Sequence, residues 1–329
     1  MNRITANGQE FCYLSAGTGP KVLLLHGFPD IASTWSHQMD ALAAAGYCAI
    51  APYLRGYHPN PIQDGAFYDK ATLVQDLSCL IEALGGGEPL LFVGQDWGAI
   101  IGYALCAARP DLVSKAVLMA VPHPAIVTRH LLDPKHVQRS FHWWFFQQAD
   151  FPEQALLAED MAFIDFLWRD WCAPGYEDRA HIGAVKACLR EPGVLPATLA
   201  YYRAMFNPQR ADPALASLRA DMARTITVPT LALCGAPRPA RRVDGRPGRV
   251  FQRRLYLPGS PQRGPLSAPR AAGCREPAAV RLVRKCPLTA VRQRTQCSLT
   301  VGLVCLVIMR ASVYRLVFKN PCIANSCSL

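Results

Sequence analysis

Four short apolar runs, at residues 22–25, 48–52, 90–93 and 116–121, each stop at a turn and are separated by stretches with helical spacing. Runs this short and this continuous suit strands buried on both faces, as in a parallel sheet. Between them, residues 33–45 place Trp35, Met39 and Leu42 at helical intervals. Residues 69–84 line Leu73, Leu77, Leu80 and Leu84 along one face, with Asp69 as the cap and Gly85-Gly86-Gly87 as the stop. A third helix is expected over residues 97–108, directly after the run at 90–93. Strands alternating with helices at these distances predict an α/β chain with a mostly parallel, doubly wound sheet.

After Pro124 the rhythm breaks. Residues 131–206 read as helical and are rich in rings, with Trp143, Trp144, Phe145, Phe146, Trp168, Trp171, Tyr201 and Tyr202. The α/β pattern returns at 228–234. A helical insert between two strands of one sheet is expected to be a lid over an active site. The chain therefore divides into a first core segment (1–125), a lid (126–210), a return to the core (211–236) and a tail (237–329).

The net charge of +11 resembles a nucleic-acid signal only until it is divided. Residues 1–236 hold 17 Lys/Arg against 22 Asp/Glu, whereas residues 237–329 hold 18 against 2. All six Trp and all eight His precede residue 182. The basic charges of the tail are dispersed, and its rings are only Phe251, Tyr256, Tyr314 and Phe318, which argues against a nucleic-acid or membrane-binding arm. Cys274, Cys286, Cys297 and Cys305 lack a short pair and a histidine, so zinc is not expected. The 13 cysteines are scattered singly, as in a reduced, cytoplasmic protein. The first ten residues carry no apolar run of a signal peptide. The longest apolar stretch, residues 299–309, stops at Arg310, short of the roughly 18–20 residues that span a bilayer.

Chemistry concentrates at Gly94-Gln95-Asp96-Trp97-Gly98, where the run at 90–93 meets a helix. A G-x-nucleophile-x-G turn needs small residues on both sides of a sharp bend that lifts its central side chain above the sheet. Here that residue is Asp96. A carboxylate nucleophile forms an ester with carbon and suits displacement at an alkyl carbon. His26-Gly27-Phe28-Pro29, after the first run, can aim backbone N–H groups at the same point. Phe28 and Trp97 are the expected donors to the attacking carboxylate and its oxyanion. The side chain of His26 reads as a hydrogen-bonded turn histidine.

With these residues in place, the chain resembles the α/β-hydrolase superfamily in its epoxide hydrolase and haloalkane dehalogenase branch. The resemblance rests on LLLHGFPD, AIAPYLRGY, LLFVGQDWGAIIGY, the helical insert and VPTLALCGA, over about residues 10–236. It implies a cofactor-independent hydrolase acting on a small epoxide or organohalide, without metal, nucleic acid or membrane. Asp96 would attack in line to give an alkyl-enzyme ester, which a water activated by a His–acid pair then hydrolyses. Tyr202 matches the lid tyrosine that protonates the epoxide oxygen in epoxide hydrolases, with Tyr201 ranked behind it. His142-Trp143 resembles the pair that binds halide in fluoroacetate dehalogenases. Those enzymes carry an arginine after the nucleophile, where this chain has Trp97, so a carboxylate substrate is disfavoured. Part of the Trp143-Trp144-Phe145 cluster is expected to be packing.

The resemblance ends near Ala236. The family's relay acid comes after the strand matching residues 230–234, and its histidine lies further on in a G-H-F-type loop. Here Gly235-Ala236 leads into Pro237-Arg238, and no histidine occurs beyond His181. The alternative acid position, Val121-Pro122-His123-Pro124, has no carboxylate, and Tyr53 replaces an aspartate usual in the family. The closing strand and helices are expected to be missing or aberrant, with poor solubility as the result. Codons permitted for Gly264-Pro265-Leu266-Ser267-Ala268-Pro269-Arg270-Ala271, read one base later, spell Gly-His-Phe-Leu-His-Arg-Glu. The shifted codon at Arg238 admits Asp. A frame-shifted tail would account for the charge, the Arg/Pro richness and the lost histidine together.

Overall fold

The structure, a computed structural model, describes residues 1–172 and 176–234. The expectations for the tail and for the closing strand and helices lie outside the described residues. Within them, seven strands form one sheet: β1 (Asn2–Ala6), β2 (Gln9–Ala16), β3 (Lys21–Leu25), β4 (Cys48–Pro52), β5 (Leu90–Gln95), β6 (Val113–Met119) and β7 (Thr230–Leu233). Their spatial order is β1-β2-β4-β3-β5-β6-β7. The first two pairings are antiparallel, and every pairing from β4 to β7 is parallel. This is the mostly parallel sheet that the alternating pattern predicts, with the α/β-hydrolase fold that the resemblance implies.

Side chains alternate across that sheet and build a core on each face. Leu23, Leu25, Phe92 and Leu118 point to one side, with helices α2 (Lys70–Gly85) and α3 (Trp97–Ala108). Val22, Leu24, Val93 and Val117 point to the other, with Trp35 and with Met39 and Leu42 of α1 (Ser36–Ala44). Burying one such aliphatic side chain contributes about 1.5–3 kcal/mol. Helix α2 starts as its sequence foretells: Asp69 accepts from the Ala71 N–H at 3.1 Å. It ends at Gly86, whose φ of 65° is the left-handed conformation glycine adopts freely.

The structure adjusts some boundaries. The predicted helix at 33–45 is a 3-10 turn, Ala32–Trp35, followed by α1. Strand β6 begins earlier than residue 116, because Val113 pairs with Leu90. The hairpin of β1 and β2, outside the expected pattern, turns on Asn7 and Gly8 with φ of 46° and 71°. This asparagine–glycine pair is well suited to a two-residue hairpin.

Between β6 and β7 the chain forms α4 (Pro124–His130), α5 (Pro134–Arg139), α6 (Phe141–Phe145), α7 (Phe151–Trp171), α8 (Arg179–Arg190) and α9 (Val194–Phe206), and α10 (Ala216–Asp221) comes after them. Residues 158–161 interrupt α7 with non-helical angles. Helix α9 and the residue after α6 bring rings onto the core: Phe146 lies 5.5 Å from Phe28, and Tyr202 lies 5.2 Å from Trp97. Among the described residues, no helix is long and apolar enough to cross a membrane.

Candidate active site

Asp96 stands between the last residue of β5 and the first of α3, with φ 51° and ψ −118°. A positive φ in a residue with a Cβ costs on the order of 1–3 kcal/mol and persists only where its surroundings enforce it. The flanking glycines permit the bend. A Cβ on Gly94 would lie 2.5 Å from the Gly98 carbonyl carbon, and one on Gly98 would lie 2.8 Å from the Leu25 carbonyl carbon. The backbone of α3 begins at once, with Ala99 and Ile100 both donating to the Asp96 carbonyl at 2.9 Å.

The Asp96 side chain does not cap α3 in the usual way. Its Oδ1 accepts the Phe28 N–H at 2.8 Å, and the Trp97 N–H also bonds to the carboxylate. Some of the residue's surface stays open while its carboxyl group is ringed by protein. Burial raises its pKa from 3.8 to about 6, the two backbone donors pull it down, and the charge of nearby Asp30 pushes it up. Such a group is about nine-tenths ionised at pH 7 while remaining poorly solvated. It is charged and oriented.

Rings cover this carboxylate. Tyr202 is buried, with its ring 5.6 Å from Phe28, 5.1 Å from Phe146 and 5.6 Å from His142. Burial, with the charge of Asp96 adding, holds its hydroxyl well above the ordinary pKa, so it stays protonated. That hydroxyl and the Trp97 indole N–H lie near enough to interact, and neither has any other partner, so the hydroxyl's own proton has no acceptor. The other ring-bearing residues of these helices separate in role. Tyr201 donates its hydroxyl to the Arg55 carbonyl at 2.6 Å, which commits it to holding α9 on the core. His142 is buried, its Nδ1 is unpartnered, and burial lowers its pKa to about 3, with His136 adding, so it is neutral. Trp143 packs on His136 at 5.5 Å and His142 at 6.2 Å. Trp144 stacks on Phe206 at 4.9 Å, and Phe145 stacks on Phe163 at 5.6 Å.

His26 is the turn histidine expected from the sequence. It is wholly buried, its Nδ1 lies 3.0 Å from the Gly27 carbonyl, and its Nε2 accepts the Leu54 N–H at 3.1 Å. Burial takes its pKa down to about 4. Sequence reasoning missed Asp30, which is buried beside the site and bonded to Gln95 and to His181. A pair separated by 151 residues leaves no local signal. Among the described residues, no group of His, Cys, Asp or Glu could hold a metal ion.

The fold and this turn define an α/β hydrolase built around a carboxylate bend. The family model for the alpha/beta hydrolase fold matches residues 20–163. The chain is 32% identical to the AB hydrolase superfamily protein YfhM of Bacillus subtilis, over 64% of this chain and 74% of that one. It is 29% identical to mouse epoxide hydrolase 4, over 71% of this chain, and spans under two thirds, 64%, of that relative's length. The solved structure of epoxide hydrolase VrEH1 from Vigna radiata superposes with a TM-score of 0.58 at 26% identity, covering 71% of this chain and 79% of that one. A Bacillus megaterium epoxide hydrolase gives 0.59 at 25%, covering 72% and 83%. The chain belongs to the α/β-hydrolase superfamily.

Proposed function

We propose that this chain opens small, uncharged epoxides by nucleophilic attack of Asp96. The observation that carries the reading is the Tyr202 hydroxyl, buried with no acceptor for its proton against a carboxylate that two backbone N–H groups already orient. A buried unpaired hydroxyl costs about 1–3 kcal/mol, so a ligand oxygen that accepts its proton gains what the empty site lacks.

Asp96 attacks an epoxide carbon, forming the ester C–O bond as the ring C–O bond breaks. The ring oxygen takes the Tyr202 proton, giving a hydroxyalkyl ester, and water returns a proton to the tyrosinate. A general acid of this kind is worth about 10²–10⁴-fold. Hydrolysis then requires water to attack the ester carbonyl, with the oxyanion on the Phe28 and Trp97 N–H groups. That step needs a base. His26 has both ring nitrogens engaged, His142 with its pKa lowered to about 3 is a weak base, and the Nε2 of His181 is taken up by Asp30. The ester therefore forms faster than it is cleared. The reading needs no cofactor, and the helices between β6 and β7 act as its lid. Buried thiols at Cys12, Cys106 and Cys188 support a reducing, cytoplasmic setting.

Intact mass after incubation with an aryl-substituted epoxide tests this. The expected result is a gain equal to the whole epoxide, mapped to the peptide holding Asp96 and absent in Asp96→Asn. An unmodified chain with no diol product overturns it. The second reading is halide displacement, favoured by the unpartnered Nδ1 of His142 at 5.6 Å ring distance from Tyr202. An adduct from a bromoalkane, with none from the epoxide, would favour it.

A further inference from the structure

Two side chains of the helical cover reach down to the residues just after Phe28. Trp168, in α7, donates its indole N–H to the Pro29 carbonyl at 3.1 Å. His181, in α8, places Nε2 2.7 Å from Asp30 Oδ1. Asp30 is itself the corner of the turn that presents Phe28. Its N–H donates to the Gly27 carbonyl at 3.1 Å, its Oδ1 accepts the Ile31 N–H at 2.8 Å, and its Oδ2 accepts Gln95 Nε2 at 3.3 Å. Gln95 immediately precedes Asp96. The turn that supplies a backbone donor to the carboxylate is thus fastened from above and from the side.

We propose that His181 is a positioning residue for Asp96: from the cover it clamps Asp30, and through Asp30 it fixes the Phe28 N–H and offsets the negative charge that Asp96 feels. The inference rests on the reading of Asp96 as the nucleophile, and its own test separates from that one. Charge supports it as well as geometry. Burial disfavours the His181 cation, but the hydrogen bond and charge of Asp30, with Asp178 adding, outweigh burial and raise its pKa above the ordinary 6.5. Around His181 the other facing groups are Ser33 at 3.5 Å, the neutral Trp168 ring at 5.5 Å and His26, which repels weakly and is itself held neutral. Around Asp96 they are Asp30 and the phenols of Tyr57 and Tyr202. The raised pKa of His181 favours its cation beside Asp30.

The experiment tracks the Asp96 carboxyl against pH by ¹³C NMR in the full chain with labelled aspartate, Asp96→Asn assigning the signal. Alkylation by an activated epoxide is timed alongside. His181→Gln keeps an N–H donor but removes the charge, so the Asp96 midpoint rises. Asp30→Asn removes the neighbouring anion with little change of shape, so the midpoint falls. Trp168→Phe removes a donor and no charge: the midpoint holds while alkylation slows roughly tenfold, as for a slightly misplaced reacting group. Opposite movements in the His181 and Asp30 variants are an outcome that a merely structural pair would not produce. Identical midpoints in the parent, His181→Gln and Asp30→Asn overturn the clamp, whatever the alkylation rates. Midpoints that move in a parent that is never alkylated keep the clamp and overturn the proposed function instead.

Discussion

Gly27 faces Asp96 at a separation no side chain could share. A Cβ on Gly27 would fall against the Asp96 carboxylate and 2.7 Å from the Trp97 nitrogen. The requirement is steric, since the obstacles include backbone that cannot swing aside. Gly27→Ala is expected to destabilise the chain by about 1–3 kcal/mol. It should also separate the Phe28 N–H from the carboxylate, slowing alkylation by about 10²–10³-fold. Urea unfolding and the rate of adduct formation check both. An alanine variant alkylated at the parent's rate would show that the Phe28 donor has no part in the reaction.

Asp96 also carries a signature in stability. Its pKa is near 6 in the fold and 3.8 outside it, so the native state holds its proton more tightly. This group therefore favours folding below about pH 4, and that contribution is lost as pH rises through about 6. Two pKa steps amount to about 3 kcal/mol of opposition at pH 8. Asp96→Asn, which cannot ionise, should be more stable than the parent at pH 8 by up to that amount, and equal to it near pH 3.5. Thermal melts across that range read the difference directly. A gap that does not depend on pH contradicts a buried, electrically strained carboxylate.

The bend was legible because its chemistry is local. Two glycines around an acid, straight after a buried run, leave few other conformations, and the structure puts Asp96 at φ 51° there. Strand alternation and the Asp69 cap were legible for the same reason. The β1–β2 hairpin carried a local signal too, in Asn7-Gly8, but it lies on an antiparallel edge outside the α/β rhythm. The clamp of His181 on Asp30 and the buried pair of Arg55 with Asp76 carried none, since each joins elements whose adjacency only the fold creates. Which of two adjacent tyrosines faces the carboxylate was ranked only through the resemblance, since helical spacing does not separate them. A rotation of about 100° along α9 decides it, and only the position of the Arg55 carbonyl tells them apart.

Those tyrosines should respond oppositely. Tyr202→Phe removes a buried hydroxyl whose proton has no acceptor, so stability should rise by about 1 kcal/mol while alkylation of an epoxide falls by about 10²-fold or more. Tyr201→Phe deletes a satisfied hydrogen bond and leaves the Arg55 carbonyl wanting, so stability should fall by about 1–3 kcal/mol. Denaturant midpoints for the two variants, measured together, give the comparison. If both shift in the same direction, the assignment of Tyr202 as the hydroxyl awaiting a ligand is wrong.

Turnover, as distinct from alkylation, depends on the residues beyond β7. Strand β7 ends at Leu233 beside Met119 of β6, where the family carries its relay acid next, and this sequence supplies Pro237-Arg238 instead. His26 has both ring nitrogens engaged and His142, with its pKa lowered to about 3, is a weak base, so the loss of the family's base–acid pair is expected to cost turnover several orders of magnitude. The parent chain should therefore show a single stoichiometric burst and an adduct that survives gel filtration. A version whose tail is replaced by the shifted reading that the codons permit, with an Asp at position 238 and a Gly-His-Phe loop, should release diol repeatedly and show no lasting adduct. Sequencing the gene across that junction in independent clones bears on the same point. An intact frame together with sustained turnover by the parent would overturn the frame-shift account and require a base supplied by this chain as it stands.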